Sequence, residues 1–111
     1  MEISEKKEKD ITILAISGRL DTLSSGSLDE KLKELTNNNL NKIVIDFSEL
    51  DFISSSGLRV LLTIAKKVKS TSGYLALSAL KDHVKEVFDV AGFTMLFSIF
   101  PSQQDAINSI Q

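Results

Sequence analysis

The run Ile43-Val44-Ile45-Asp46-Phe47 limits the possible folds of this chain more than any other stretch. It is too continuously apolar for a strand with one wet face and suits a central strand covered on both sides. Such a strand needs parallel neighbours and crossover helices. The flanking segments supply the helices. Upstream, Leu28, Leu32 and Leu35 recur at i, i+4, i+7, and downstream Leu58, Leu61, Leu62, Ala65 and Val68 line one side of a helix expected over 55–70.

The remaining elements follow in the same way. Residues 2–7 carry a weak edge-strand signal, and Glu8-Lys9-Asp10 turns into an apolar, β-branched strand from Ile11 to Ser17. The short connection predicts an antiparallel hairpin. Gly18-Arg19-Leu20-Asp21 is expected to leave that strand. Ser27 and Glu30 have the form of a capping box, although the helix has an alternative start one turn earlier at Ser24, and Asn37-Asn38-Asn39 is a stop signal. A short acidic loop is expected after Phe47, and Gly73 as the stop of the second helix. Tyr74 to Ser78 reads as a strand. Val84, Val87, Phe88 and Ala91 mark a third helix closed by Gly92. Phe97 to Phe100 is a last strand, and Ser102 caps a final helix that turns Ala106, Ile107 and Ile110 inward. The order β-β-α-β-α-β-α-β-α predicts an α/β fold with a mixed, mainly parallel sheet of about five strands and about four helices.

At 111 residues the chain is expected to be one domain, residues 1–111. A chain of this length buries about 65% of its unfolded surface, enough to need no staple. Thirteen basic residues against fifteen acidic ones, a net charge of −2, argue against direct nucleic-acid binding. The absence of cysteine excludes thiol chemistry and disulfides. No apolar run approaches the roughly 18–20 residues of a membrane span, and the amino terminus has no apolar signal core. The expected location is cytoplasmic.

Catalytic motifs are missing from the sequence. It has no phosphate-binding GxxxxGK[ST] loop, no GxGxxG fingerprint and no GxSxG elbow. The single histidine, His83, falls at a helix surface or boundary, and one isolated residue is a poor basis for a serine triad. Asp46, Glu49 and Asp51 resemble the acidic loop of a receiver domain. The first strand, however, ends in Ile16-Ser17-Gly18 rather than an acidic pair, and no lysine follows Lys85. Asp46 is better read as accepting backbone hydrogen bonds in a turn. No metal or other cofactor is implied, and the chain is not expected to be an enzyme.

What remains is Ser54-Ser55-Ser56-Gly57 at the start of the second helix. One serine there would cap the helix, contributing about 1 kcal/mol. Three in succession, followed by a glycine without a side chain to shield them, also suit an exposed functional site. Both readings stand on physics alone. A phosphate would be tolerated, because a helix amino terminus offers free N–H groups and a favourable dipole to negative charge.

The chain resembles the STAS domain, as found in bacterial anti-sigma factor antagonists. The resemblance covers nearly the whole chain. It rests on Gly18-Arg19-Leu20-Asp21, similar to the family's G-x-L-D turn, and on Ile43-Val44-Ile45-Asp46-Phe47-Ser48, similar to its apolar strand and "DLS"-like turn. Phe52-Ile53-Ser54-Ser55-Ser56-Gly57-Leu58 is similar to its (F/Y)-(M/I)-D-S-(S/T/A)-G-L loop. Val84-x-x-Val87-Phe88-x-x-Ala91-Gly92-Phe93 is similar to its late helix and turn.

The resemblance implies a non-enzymatic binding protein. Its unphosphorylated form would bind an anti-sigma factor that is also a serine-protein kinase and so release a sigma factor. Phosphorylation in the loop would switch it off, and a PP2C-type phosphatase would restore it. Aligned on Gly57, the phosphoserine falls on Ser55, with Ser56 and Ser54 as lesser candidates. Asp21, Ser24, Ser54, Ser55, Ser56, Gly57 and Arg59 would form the partner-binding face, on a monomer or weak dimer. The family often has aspartate where this chain has Ser54, so a charge is lost while the capping oxygen is kept. A constitutive STAS scaffold or ligand-binding module, as in a signalling or lipid-transport complex, is the alternative.

Overall fold

A computed structural model describes residues 1–110. Its elements are β1 (Glu2–Glu8), β2 (Ile11–Leu20), α1 (Ser25–Asn37), β3 (Lys42–Ile53), α2 (Ser55–Ser70), β4 (Tyr74–Ser78), α3 (Asp82–Ala91), a 3-10 turn (Thr94–Leu96), β5 (Ser98–Phe100) and α4 (Gln103–Ile110). The strands form one sheet in the order β1-β2-β3-β4-β5. β1 pairs antiparallel with β2, and every later pairing is parallel. This is the expected mixed α/β sheet with four helices.

Side chains alternate across the strands and divide the core in two. On one face Leu14, Ile16, Ile43, Ile45, Phe47 and Leu77 pack with the buried sides of α1, α2 and α3. On the other, Ile11, Ile13, Val44 and Ala76 pack with Ala106 and Ile107 of α4. The run at Ile43–Phe47 is central and covered on both faces, as its composition requires. Phe47 and Phe88 meet edge to face at 6.2 Å between ring centroids, which ties α3 to β3.

β2 and β3 are both longer than expected, and one cause accounts for both. Between the pairs Ala15↔Asp46 and Ser17↔Glu49, β2 advances two residues while β3 advances three. Between Gly18↔Leu50 and Arg19↔Phe52, the steps are one and two. β3 therefore carries two bulges, each adding a residue and re-aiming the side chains around it. The buried residues Phe47, Leu50 and Ile53 follow a spacing of three, which hides the strand from a period-two search. The predicted acidic loop is thus bulged strand, and Gly18-Arg19-Leu20 stays in β2, with Gly18 at a left-handed φ of 85°.

Smaller corrections concern the helices. α1 starts at Ser25, so the Ser27–Glu30 capping box does not form and the earlier start is the real one. Ile64 is buried on α2, whereas Leu62 and Ala65 are only half-buried. Ala91, expected to face inward, is exposed. The left-handed residue after α2 is Ser72, at φ 58°, not Gly73. Gly73 is needed for another reason, since a Cβ there would lie 2.4 Å from the Asn41 carbonyl oxygen. Gly92 does close α3 at φ 76°, and Ser102 Oγ accepts from Asp105 N at 3.1 Å as the cap of α4. Among the described residues, no helix is long and apolar enough to cross a membrane.

Candidate functional site

Parallel strands deliver their following loops to one edge of a sheet, and that edge is where open α/β sheets gather binding residues. Here the β2–α1 loop and the β3–α2 junction lie side by side. Ser54 N donates to the Leu20 carbonyl oxygen at 2.8 Å, stitching one to the other. Thr22 Oγ1 and Ser56 Oγ share a hydrogen bond at 3.3 Å.

The β2–α1 loop is held by its own side chains. Asp21 Oδ1 accepts from Leu23 N, Ser24 N and Ser24 Oγ, each at 3.1 Å. The single Ser24 hydroxyl proton is shared between that oxygen and the nearer Arg19 carbonyl, at 2.7 Å, while Ser24 Oγ accepts from Asp21 N at 2.9 Å. A carboxylate accepting several N–H and O–H groups is favoured in its charged form. The Asp21 carboxyl is accordingly held below its ordinary value, first by the Ser24 backbone N–H. Arg19 lies 3.7 Å from Asp21 Oδ2 and stacks on the Phe52 ring at 4.1 Å.

The serines at α2 divide the work between them. Ser54 is the cap: its backbone is extended, at φ −96° and ψ 172°, and its Oγ accepts from Gly57 N at 3.3 Å. Ser56 faces the β2–α1 loop through Thr22. Ser55 is exposed, and its hydroxyl has no hydrogen-bond partner among the described residues. It lines a groove of about 470 Å³ with Leu58, His83, Glu86, Val87 and Val90.

Gly57 is buried, and its lack of a side chain serves packing rather than exposure. A Cβ there would meet Leu20 Cγ at 2.7 Å and Ile53 Cγ1 at 3.0 Å. The first turn of α2 sits against the buried ends of β2 and β3, and only glycine allows that approach. Arg59 is exposed one helical turn beyond Ser55 and makes no ion pair among the described residues. Of the residues expected to share a face, Ser55 and Arg59 are exposed along α2 and the loop of Asp21 and Ser24 meets Ser56 through Thr22, whereas Gly57 is buried beneath them against Leu20 and offers no surface.

The opposite wall of the groove went unrecognised in the sequence. His83, on the exposed side of α3, has Nε2 at 2.7 Å from the Asp51 carbonyl oxygen. A carbonyl only accepts, so Nε2 carries the proton and is committed to that bond. Lys81 pairs with the Asp51 carboxylate and, as the largest influence, its hydrogen bond holds that carboxyl below the ordinary value. Asp46 accepts from Ser48 N, the expected backbone bond, and from Gln103 Nε2, each at 2.9 Å, although it lies at a bulge in β3 rather than in a turn. No group of three or more metal-binding side chains occurs among the described residues. Leu23, 93% exposed, and Val90, 82% exposed, were also missed. An apolar residue outside any period, set among hydroxyl residues, was the available signal for Leu23.

Known proteins share both the sequence and the shape. BtrV of Bordetella bronchiseptica, named as a candidate anti-sigma factor antagonist, is 33% identical over 106 residues, covering 96% of this chain and 91% of its own. A crystal structure of a candidate anti-sigma factor antagonist from Thermotoga maritima superposes with a TM-score of 0.92 at 23% identity, covering 97% of this chain and 93% of its own. The Bacillus cell-fate determinant SpoIIAA, solved in a phosphorylated form, superposes at 0.78 with 17% identity, over 99% and 100% of the two chains. The family model for the STAS domain matches residues 2–106, which takes in every strand and the edge that carries the serines. On that match, and on the sheet order that accompanies it, the chain belongs to the STAS domain family.

Proposed function

We propose that this chain is an anti-sigma factor antagonist, switched by phosphorylation of Ser55. The reading is carried by one observation: of three consecutive serines, only Ser55 is exposed with a hydroxyl uncommitted among the described residues, on the rim of a groove. The name of BtrV and the solved phosphorylated form of SpoIIAA support it. The unphosphorylated chain binds an anti-sigma factor that is also an ATP-dependent serine kinase, which frees a sigma factor. A PP2C-type phosphatase reverses the modification. The partner-binding face comprises Asp21, Ser24, Ser54, Ser55, Ser56 and Arg59, with Gly57 buried beneath it as support, and the chain works as a monomer or weak dimer.

The physics of the switch is local. A phosphate at the first residue of α2 adds nearly two negative charges beside free helical N–H groups, so the fold accepts it. In a closed interface the same charge is buried without a partner, at a cost of about 2–5 kcal/mol. Since about 1.4 kcal/mol is a factor of ten, the low end already weakens the complex more than tenfold.

The test is to incubate the chain with ATP and the purified kinase, locate the phosphate by mass spectrometry, and measure kinase binding by Ser55→Asp. One phosphate on Ser55 and a binding loss above tenfold are expected. A phosphate elsewhere, or undiminished binding by Ser55→Asp, refutes the assignment. A second reading, a STAS scaffold or ligand-binding module that is not phosphorylated, is favoured by Ser54 in place of the family's aspartate and by the apolar wall of Leu58, Val87 and Val90. It predicts binding indifferent to ATP and phosphatase.

A further inference from the structure

Leu23 is 93% exposed, although leucine gains more than most residues from leaving water. A single exposed leucine on a mobile loop would need no explanation. This one is held in place. Its backbone N–H donates to Asp21 Oδ1, the next residue binds the same oxygen through both its N–H and its hydroxyl, and the preceding residue bonds Ser56. These hydrogen bonds restrain the loop, so less conformational freedom is lost when the leucine is covered. Phe52, 37% exposed under the Arg19 guanidinium, extends the apolar surface on the same edge.

We infer that Leu23 is the apolar anchor of the partner-binding face and seats in an apolar pocket of the kinase that recognises Ser55. The inference rests on the function proposed above. A protein pocket is favoured over a lipid surface because the loop around Leu23 sets Arg19 against Asp21 and carries no cluster of lysines, so it offers little net attraction to an anionic membrane. Anchors of this kind stand near the centre of an interface among weaker polar contacts, and Thr22 and Ser24, on either side of Leu23 in the loop, supply polar groups of that kind.

The experiment compares the full chain with Leu23→Ala, Leu23→Asp and Met95→Ala in titrations against the purified kinase. Met95 is as exposed as Leu23, at 93%, but lies in the turn before β5, at the opposite end of the parallel strands. Leu23→Ala should raise Kd about tenfold, mainly through faster dissociation, Leu23→Asp should raise it further, and Met95→Ala should leave it unchanged. Urea midpoints should match the native chain throughout, because Leu23 buries nothing in the fold. If the native chain does not bind the kinase, the functional reading fails and the anchor with it. If the native chain binds and Leu23→Ala binds equally well, the anchor alone is wrong. Sedimentation showing that Leu23→Ala dissociates a dimer of this chain would reassign the residue to self-association and overturn the inference.

Discussion

Helices α1 and α2 leave neighbouring parallel strands at the same edge of the sheet, and both begin among serines. They solve the problem of unpaired helical N–H groups differently. At α1 the cap residue Ser24 is near helical, at φ −97° and ψ −16°, and makes no side-chain cap bond. Its hydroxyl is engaged with Arg19 and Asp21 instead, so the serine stabilises the loop before the helix. At α2 the cap residue Ser54 is extended and bonds Gly57 N, which leaves the following serine without a structural task. Serine content does not distinguish the two sites. The backbone conformation at the cap does, because it decides whether the hydroxyl looks forward into the helix or back into the loop.

The largest change should come from closing the space that lets α2 start where it does. Gly57→Ala places a Cβ 2.7 Å from Leu20 Cγ, an atom near the root of a fully buried side chain, and forces strand and helix apart. A 2.7 Å approach calls for the upper part of the usual overpacking cost, about 2–3 kcal/mol, and alanine returns about 1 in helix propensity, leaving a net loss of about 1–2 kcal/mol in urea unfolding. A Gly57→Ala chain of native stability would mean that α2 is not pinned to Leu20. Next is the cap itself. Ser54→Ala should cost about 1 kcal/mol, whereas Ser54→Asp should keep the bond and restore the acidic residue common in the family. Equal losses for the two would show that the hydroxyl does not cap α2.

These two residues also mark what the sequence did and did not make legible. Periodicity placed the four helices, because burial of one face is written directly into apolar spacing, whereas apolar, β-branched runs and turn residues placed the strands, β1 only weakly. Strand ends were lost where β3 takes in two extra residues: Ser48, Glu49 and Asp51 read as a polar loop although they extend a strand. Gly57 was read as leaving the serines uncovered, but its role depends on Leu20, thirty-seven positions away in sequence and in contact only after β2 and β3 pair. The groove beside Ser55 was hidden for the same reason, since α3 reaches it only through the fold. Ser55 itself was legible as one of three, and the distribution of hydrogen bonds among its neighbours separates it from them.

At α1 the expected effect is smaller and depends on pH. The folded-state Asp21 carboxyl sits below its ordinary value of 3.8, chiefly because the Ser24 N–H bonds the charged form. A depressed carboxyl stabilises the fold above the unfolded value and loses that contribution as pH falls through the folded one. Native chain and Asp21→Asn should therefore differ in melting temperature near neutrality, and the gap should narrow below pH 3.8. A gap that persists unchanged into acid would mean that the loop is held by shape rather than by the carboxylate.

The sharpest form of the comparison sets Ser55 against Ser54. The two are adjacent, have the same hydroxyl and flank the same helical boundary, yet only Ser54 accepts a helical N–H. Ser55→Ala should alter stability by less than about 0.5 kcal/mol, the range of an exposed substitution away from caps and cores. It gains slightly from the higher helix propensity of alanine. The same variant should incorporate no phosphate from the kinase, while Ser54→Ala, destabilised but folded, should still be modified. Urea unfolding and phosphate incorporation on both proteins separate the capping serine from the proposed acceptor. If Ser55→Ala unfolds as readily as Ser54→Ala, Ser55 has a structural role, and the division of labour among the three serines is wrong.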